Sequence, residues 1–186
     1  MNNHLCSAET SCLLIIDVQT RLTATMQPAI LNSLKKNINV LLQAAQKLSL
    51  PVLITEQYPA GLGKTEPEIM QQLPTTAISF EKTSFSCVHA EKFMQTLEKI
   101  TRKQVILMGM EAHICVLQTA VQLVELGYQV FVVSDGICSR KKEHYNIALE
   151  RMIGANIIVC NTESVLFEWL RDATHQHFKP LVSLLK

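Results

Sequence analysis

Residues 12–16, Cys12-Leu-Leu-Ile-Ile16, are apolar without a break, and Asp17 follows them at once. A strand that alternates apolar and polar residues shows one face to water, whereas a strand with no alternation has to be buried on both faces. The run is too short for an ordinary helix and far too short to cross a membrane. It therefore reads as the central strand of a parallel sheet covered by helices on each side. The next segment agrees: Ile30, Leu34, Ile38, Leu41, Leu42, Ala45 and Leu48 recur at helical spacing, with Lys35, Lys36 and Asn39 opposite, and Pro51 stops the helix.

The same alternation continues along the chain. Strands are predicted over residues 12–18, 52–55, 77–80, 104–109, 129–134 and 156–160. Helices are predicted over 90–100, over 114–126 with Gly127 at the end, and over 143–153 with Gly154 closing it. Residues 56–76 form a loop rich in Pro and Gly with a short helix near 66–73, and the tail from Glu163 reads as helix broken near Pro180. The expectation is one α/β domain over residues 1–186: a doubly wound, Rossmann-like, six-stranded parallel sheet with helices on both faces.

Composition narrows the functional classes. Seventeen basic residues against sixteen acidic ones leave a net charge of +1, which provides no electrostatic footprint for nucleic acid or an anionic membrane. Low net charge also gives little repulsion between copies, which fits a homo-oligomer. Residues 1–11 are polar and lack the basic and apolar regions of a secretory signal, so a cytoplasmic protein is expected. The six cysteines form no CxxC pair, which leaves zinc and thioredoxin-type readings without a spacing to rest on. Gln19-Thr-Arg-Leu22 follows the first strand where a nucleotide-binding fold needs a Gly-rich turn, so no cofactor is expected.

In an open parallel sheet, ligands bind outside the carboxyl ends of the strands, where the strand order reverses. Asp17 ends the first strand, Lys82 follows the third, and the fourth leads through Gly109-Met-Glu-Ala-His-Ile-Cys115 into a helix. A carboxylate, an ammonium and a thiol thus reach one edge of the sheet. A thiol attacks as thiolate, and its pKa falls at a helix N-terminus or beside a cation. Asp17 is suited to accept the thiol proton and later to activate water. Taken singly, each has a plain structural reading as a cap, a solvated charge and an inert buried thiol.

Three blocks in this order, Leu14-Ile-Ile-Asp-Val-Gln19, Phe80-Glu-Lys-Thr-Ser-Phe85 and Gly109-Met-Glu-Ala-His-Ile-Cys-Val-Leu-Gln-Thr-Ala120, resemble the signature blocks of isochorismatase-like cysteine hydrolases. The likeness extends over nearly the whole chain, through Ser134-Asp-Gly136 and Ser139-Arg140, and looks closest to the isochorismatase-domain-containing subgroup, which shares a loop like Gln57-Tyr-Pro59. The resemblance implies Cys115 as nucleophile, Asp17 as general base and Lys82 as the cation that stabilises the thiolate. It also implies a non-proline cis peptide at Met110–Glu111, which would turn the backbone N–H groups of Glu111 and Cys115 into an oxyanion hole. Nicotinamidases of the superfamily carry a histidine-rich metal motif after the second strand, but residues 55–63 here hold no histidine. The expectation is therefore no metal, and a small amide or related acyl compound as substrate.

Around this set, Gln19, Gln57, Tyr58, Phe85 and His113 are candidate substrate contacts, each with a structural alternative: capping for Gln19, loop packing for Tyr58 and Phe85, and fixing of the turn for His113. His175 and His177 lie in a tail better suited to packing than to chemistry. Two other functional readings stay open, a non-catalytic oligomeric or interaction protein and a thiol redox protein in which Cys87 or Cys138 approaches Cys115.

Overall fold

A computed structural model describes residues 4–186. Six strands, β1 (Ser11–Ile16), β2 (Val52–Gln57), β3 (Ile78–Lys82), β4 (Gln104–Met110), β5 (Gln129–Cys138) and β6 (Ile158–Cys160), form one sheet. Every pairing is parallel, and the spatial order is β3-β2-β1-β4-β5-β6. This is the doubly wound order, in which the chain reverses its direction of travel between β1 and β4.

The unbroken apolar character of β1 has the predicted cause. All six of its residues are buried, and they point alternately into two separate cores. Leu13 and Ile15 pack with the helices α1 (Pro28–Lys47), α5 (Thr162–Leu170) and α6 (Phe178–Val182) through Leu34, Leu41, Trp169 and Leu181. Cys12, Leu14 and Ile16 pack on the other face with α2 (Phe93–Ile100), α3 (Leu117–Glu125) and α4 (Lys142–Gly154) through Phe93, Ala120, Ala148 and Met152. Among the described residues, no helix is long and apolar enough to cross a membrane.

The structure moves several boundaries. The third strand runs on to Lys82, so the lysine belongs to the sheet and does not follow it. The helix predicted from residue 114 opens instead with a π-helical turn, Ala112–Val116, before α3 proper. The tail is broken over residues 171–177, and Pro180 lies inside α6. Pro180 is the third residue of that helix, where a backbone N–H has no intrahelical acceptor to lose.

One backbone contact sets the geometry of the switch point. Gly109 has φ +117, and an added Cβ would lie 2.1 Å from the carbonyl oxygen of Ile16. Only glycine lets β4 come this close to β1. The β4–β5 register also shifts between Leu107 and Gly109, just before the loop that carries Cys115.

Candidate active site

Three adjacent strands deliver the site. Ile16 is the register partner of Thr55, and Gln57 that of Lys82, so the ends of β1, β2 and β3 lie side by side. Beyond Ile16 the chain turns at Asp17, whose φ of 52 is left-handed, a conformation that Asp tolerates better than most residues. Its N–H still continues the ladder by donating to the Thr55 carbonyl at 3.1 Å, and its side chain is wholly buried.

Asp17 is fixed through both carboxylate oxygens. Thr55 Oγ1 donates to Oδ1 at 2.7 Å, and Lys82 Nζ donates to Oδ2 at 2.7 Å. Lys82 is itself caged: its ammonium donates to Gln57 Oε1 at 2.6 Å and meets the carbonyls of Phe85 at 3.0 Å and Ser84 at 3.2 Å. A buried charge persists only when paired and hydrogen-bonded, and both conditions hold here.

Cys115, 6 % exposed, lies close enough to the same carboxylate for the Asp17 charge to act on its thiol. Its thiol is not the preformed thiolate expected from a helix N-terminus beside a cation. Burial pushes its pKa well above the ordinary value, the Asp17 charge adds to the rise, and Lys82 opposes it. The resting form is a neutral thiol beside a carboxylate, an arrangement in which Asp17 is placed to accept the thiol proton. A second thiol, Cys87, is fully buried nearby; burial, then the Asp17 charge, pushes it up to about 11, and it contacts Thr55 Oγ1 at 3.8 Å.

The loop that leads to Cys115 carries a cis peptide at Met110–Glu111. The Glu111 carbonyl turns inward and accepts from the N–H groups of Ile114 at 3.0 Å and Val116 at 3.3 Å. Its carboxylate is 5 % exposed and binds Arg140 twice, through Nε at 2.9 Å and the backbone N–H at 3.1 Å. The loop is thereby tied to the turn after β5.

The other candidates divide. Gln19 uses its amide on the scaffold, donating to the carbonyls of Gln57 at 3.0 Å and Gly63 at 2.6 Å while accepting from the Gln57 N–H at 2.7 Å. Gln57 binds Lys82 and donates to the Thr83 carbonyl at 2.7 Å. Both amides are engaged by the scaffold, where they hold the loop and the cation. His113 takes the turn-fixing role: its Nδ1 is 2.9 Å from Ser139 Oγ, its ring lies 4.4 Å from that of His144, and burial lowers its pKa. Tyr58 and Phe85 expose more than half their surface, and Tyr58 with Lys82, Thr83 and Ser84 walls a cavity of about 640 Å³. Cys115 is not among the walls of that cavity.

Sequence reading missed Thr55. Thr55 and Gln57 are two residues apart on a strand and so share a face; that period was the available signal. It also missed the Arg140 tether, which joins residues 29 apart and leaves no local pattern.

Comparison with known proteins agrees with the fold. The isochorismatase domain matches residues 11–164. Isochorismatase family protein 1B of Dictyostelium discoideum is 33 % identical over 96 % of this chain and 87 % of its own. A Caenorhabditis elegans structure described as MAR1 ribonuclease is 32 % identical with a TM-score of 0.91, covering 97 % of this chain and 92 % of that one. The Escherichia coli YcaC gene product, described as an octameric hydrolase of unknown specificity, shares the fold with a TM-score of 0.89 at 24 % identity, covering 100 % of this chain and 91 % of that one. A doubly wound sheet, a domain match over most of its length and a relative one-third identical over nearly the whole chain place this chain in the isochorismatase-like hydrolase family.

Proposed function

We propose that the chain is a cysteine hydrolase in which Asp17, Lys82 and Cys115 act as one catalytic set on a small amide or related acyl compound. The observation that carries this reading is the Asp17 carboxylate, held by Thr55 on one oxygen and Lys82 on the other, with its charge acting on the buried Cys115 thiol. A base fixed in this way needs no reorganisation when the proton moves.

The thiol proton passes to Asp17 as sulfur bonds to the carbonyl carbon, and the carbonyl oxygen becomes an oxyanion received by the N–H groups of Glu111 and Cys115. Lys82 keeps the cluster charge balanced while negative charge leaves Asp17. Collapse breaks the C–N bond, and the amine departs with the proton held by Asp17, leaving a thioester. Water then attacks with Asp17 as base; the carbon–sulfur bond breaks, the acid leaves and the proton returns to sulfur. The chain's own groups suffice for each step. Among the described residues, no group of three or more His, Cys, Asp or Glu is arranged to hold a metal, and β2 ends on the neutral Gln57.

A protonated resting thiol is a poor match for a redox sensor, which depends on thiolate character and access. The ribonuclease named for the nematode relative is not carried over, because the buried thiol and its base form an acyl-transfer set. Self-association belongs to the proposal, in line with the octamer described for the Escherichia coli relative.

The test is turnover of a panel of small amides, with an RNA oligonucleotide included, together with mass spectrometry of the quenched enzyme. An acyl adduct on Cys115 that is absent from Cys115→Ala, with turnover lost in Asp17→Asn, is expected. Turnover of any amide by Cys115→Ala, or cleavage of the RNA alone, would sink the reading.

A further inference from the structure

The far edge of the sheet holds a second concentration of chemistry that the proposed reaction does not use. A cavity of about 480 Å³, in the size range of small-molecule sites, opens at the amino-terminal ends of the strands, opposite Cys115. Lys47 ends α1, Arg102 precedes β4 and Arg171 caps α5, and all three line it. Among the described residues, none of the three forms an ion pair with a carboxylate. Among the described residues, Glu9 is the only acidic one in the walls; its carboxylate accepts from the Ser7 hydroxyl and feels the charges of Arg171 and Arg102 without pairing with either. Three cations against one carboxylate leave +2 at this cavity, whereas the whole chain carries +1.

The guanidinium groups are held in place from behind. Arg171 donates to the Cys6 carbonyl at 2.7 Å, and Arg102 donates to the carbonyls of Ala8 and Ser11. Each bond uses one terminal nitrogen and leaves other donors of the fork free. His177 N–H donates to His175 Nδ1 at 3.1 Å, so His175 carries its proton on Nε2 as a further donor at the wall. Trp169 also lines the cavity; the residue is 3 % exposed and its indole Nε1 is buried with no acceptor. Lys47 and Arg171 do close the negative ends of α1 and α5, but those ends carry about half a charge each and leave the site positive. Unpaired guanidinium groups on a fixed backing are the usual receptors of a tetrahedral oxyanion.

We infer that this cavity is a binding site for a small phosphate-bearing molecule, separate from the Cys115 site. The shared chemistry is the phosphoryl group, supplied free or as a monoester.

Trp169 is the sole tryptophan, so its indole N–H gives one resonance from a residue that lines the cavity. The full chain is titrated at constant ionic strength with inorganic phosphate, ribose 5-phosphate and ribose, and the indole signal and melting temperature are followed. Saturable movement of the indole signal and a rise in melting temperature with both phosphates, but not with ribose, are expected. Affinities within threefold of each other assign the site to inorganic phosphate, and ribose 5-phosphate at least tenfold tighter assigns it to a monoester. Lys47→Gln with Arg171→Gln should weaken binding at least tenfold, and Cys115→Ala should leave it unchanged. An indole signal that does not move in the wild-type chain overturns the inference even if the double variant fails to fold. Equal binding by wild type and a folded double variant overturns it as well.

Discussion

Lys82 Nζ lies 2.7 Å from Asp17 Oδ2, and neither side chain has any exposed surface. The two residues come from the ends of different strands, with β2 between them. Thr55 of β2 faces Asp17 and Gln57 of β2 faces Lys82, so one strand positions both charges from alternate residues on one face. The charged pair is therefore a product of sheet register as much as of residue type.

Removing the cation should be costly. Lys82→Met leaves a buried carboxylate without its counter-charge, a change that typically costs about 3–5 kcal/mol. A lower urea midpoint with an unchanged m-value is the expected result. If the variant unfolds at the wild-type midpoint, Asp17 is less buried in solution than it is here.

Thr55 separates hydroxyl chemistry from packing. Thr55→Val keeps the shape and removes the hydrogen bond to Asp17, a charged acceptor, at a cost of about 1.5–3 kcal/mol. Thr55→Ser should retain most of the stability and most of the rate at which Cys115 is acylated by an activated ester. A Val variant that acylates as fast as wild type would show that Asp17 needs no second anchor.

Stability should fall in alkali. Burial pushes Cys87 up to about 11 and Cys12, Cys138 and Cys160 up to about 12, against about 8.5 for an unfolded thiol. Above that value the unfolded chain loses thiol protons that the folded chain keeps, so it binds fewer protons and the unfolding free energy declines with pH. The contribution is fully present below about pH 8.5 and is lost as pH rises towards the folded values. Urea midpoints measured from pH 7.5 to 10.5 should drop, and Cys12→Ala should flatten the slope. In the native chain, iodoacetamide should modify Cys115 only slowly at pH 8 and faster at each higher pH.

Gly109→Ala tests the switch point. The new Cβ would meet the Ile16 backbone at 2.1 Å, and φ +117 is unsuited to an L side chain, so a loss of about 1–3 kcal/mol or more is expected. Because Ile16 precedes Asp17, the acylation rate should fall together with the melting temperature. A stable variant with a normal rate would mean that β1 and β4 can separate without disturbing Asp17.

Much of this was readable in the chain. The unbroken run before Asp17 announced a strand buried on both sides, and Asp17, Lys82 and Cys115 were placed at one edge by the rule of strand ends. Other features were not readable. The sequence suggested an activated thiolate at Cys115, yet the charge state depends on how much water reaches the sulfur, and only packing decides that. Gln19 and Gln57 flank the site in sequence, and what their amides bond, carbonyls and an ammonium brought in from other segments, is set by the tertiary fold. The basic cavity at the opposite edge draws Lys47, Arg102 and Arg171 from three distant segments, none of which is unusual alone.

What the sequence determined by itself was the period: which segments are strands, which faces are apolar, and which reactive residues end each strand. These are local properties, written in runs of five to twenty residues. The tertiary structure decided pairing and access: that Thr55 meets Asp17, that Gln57 meets Lys82, and that Cys115 rests as a thiol. Such contacts depend on register between strands far apart in the chain and on the water excluded when they close, and no local pattern encodes either.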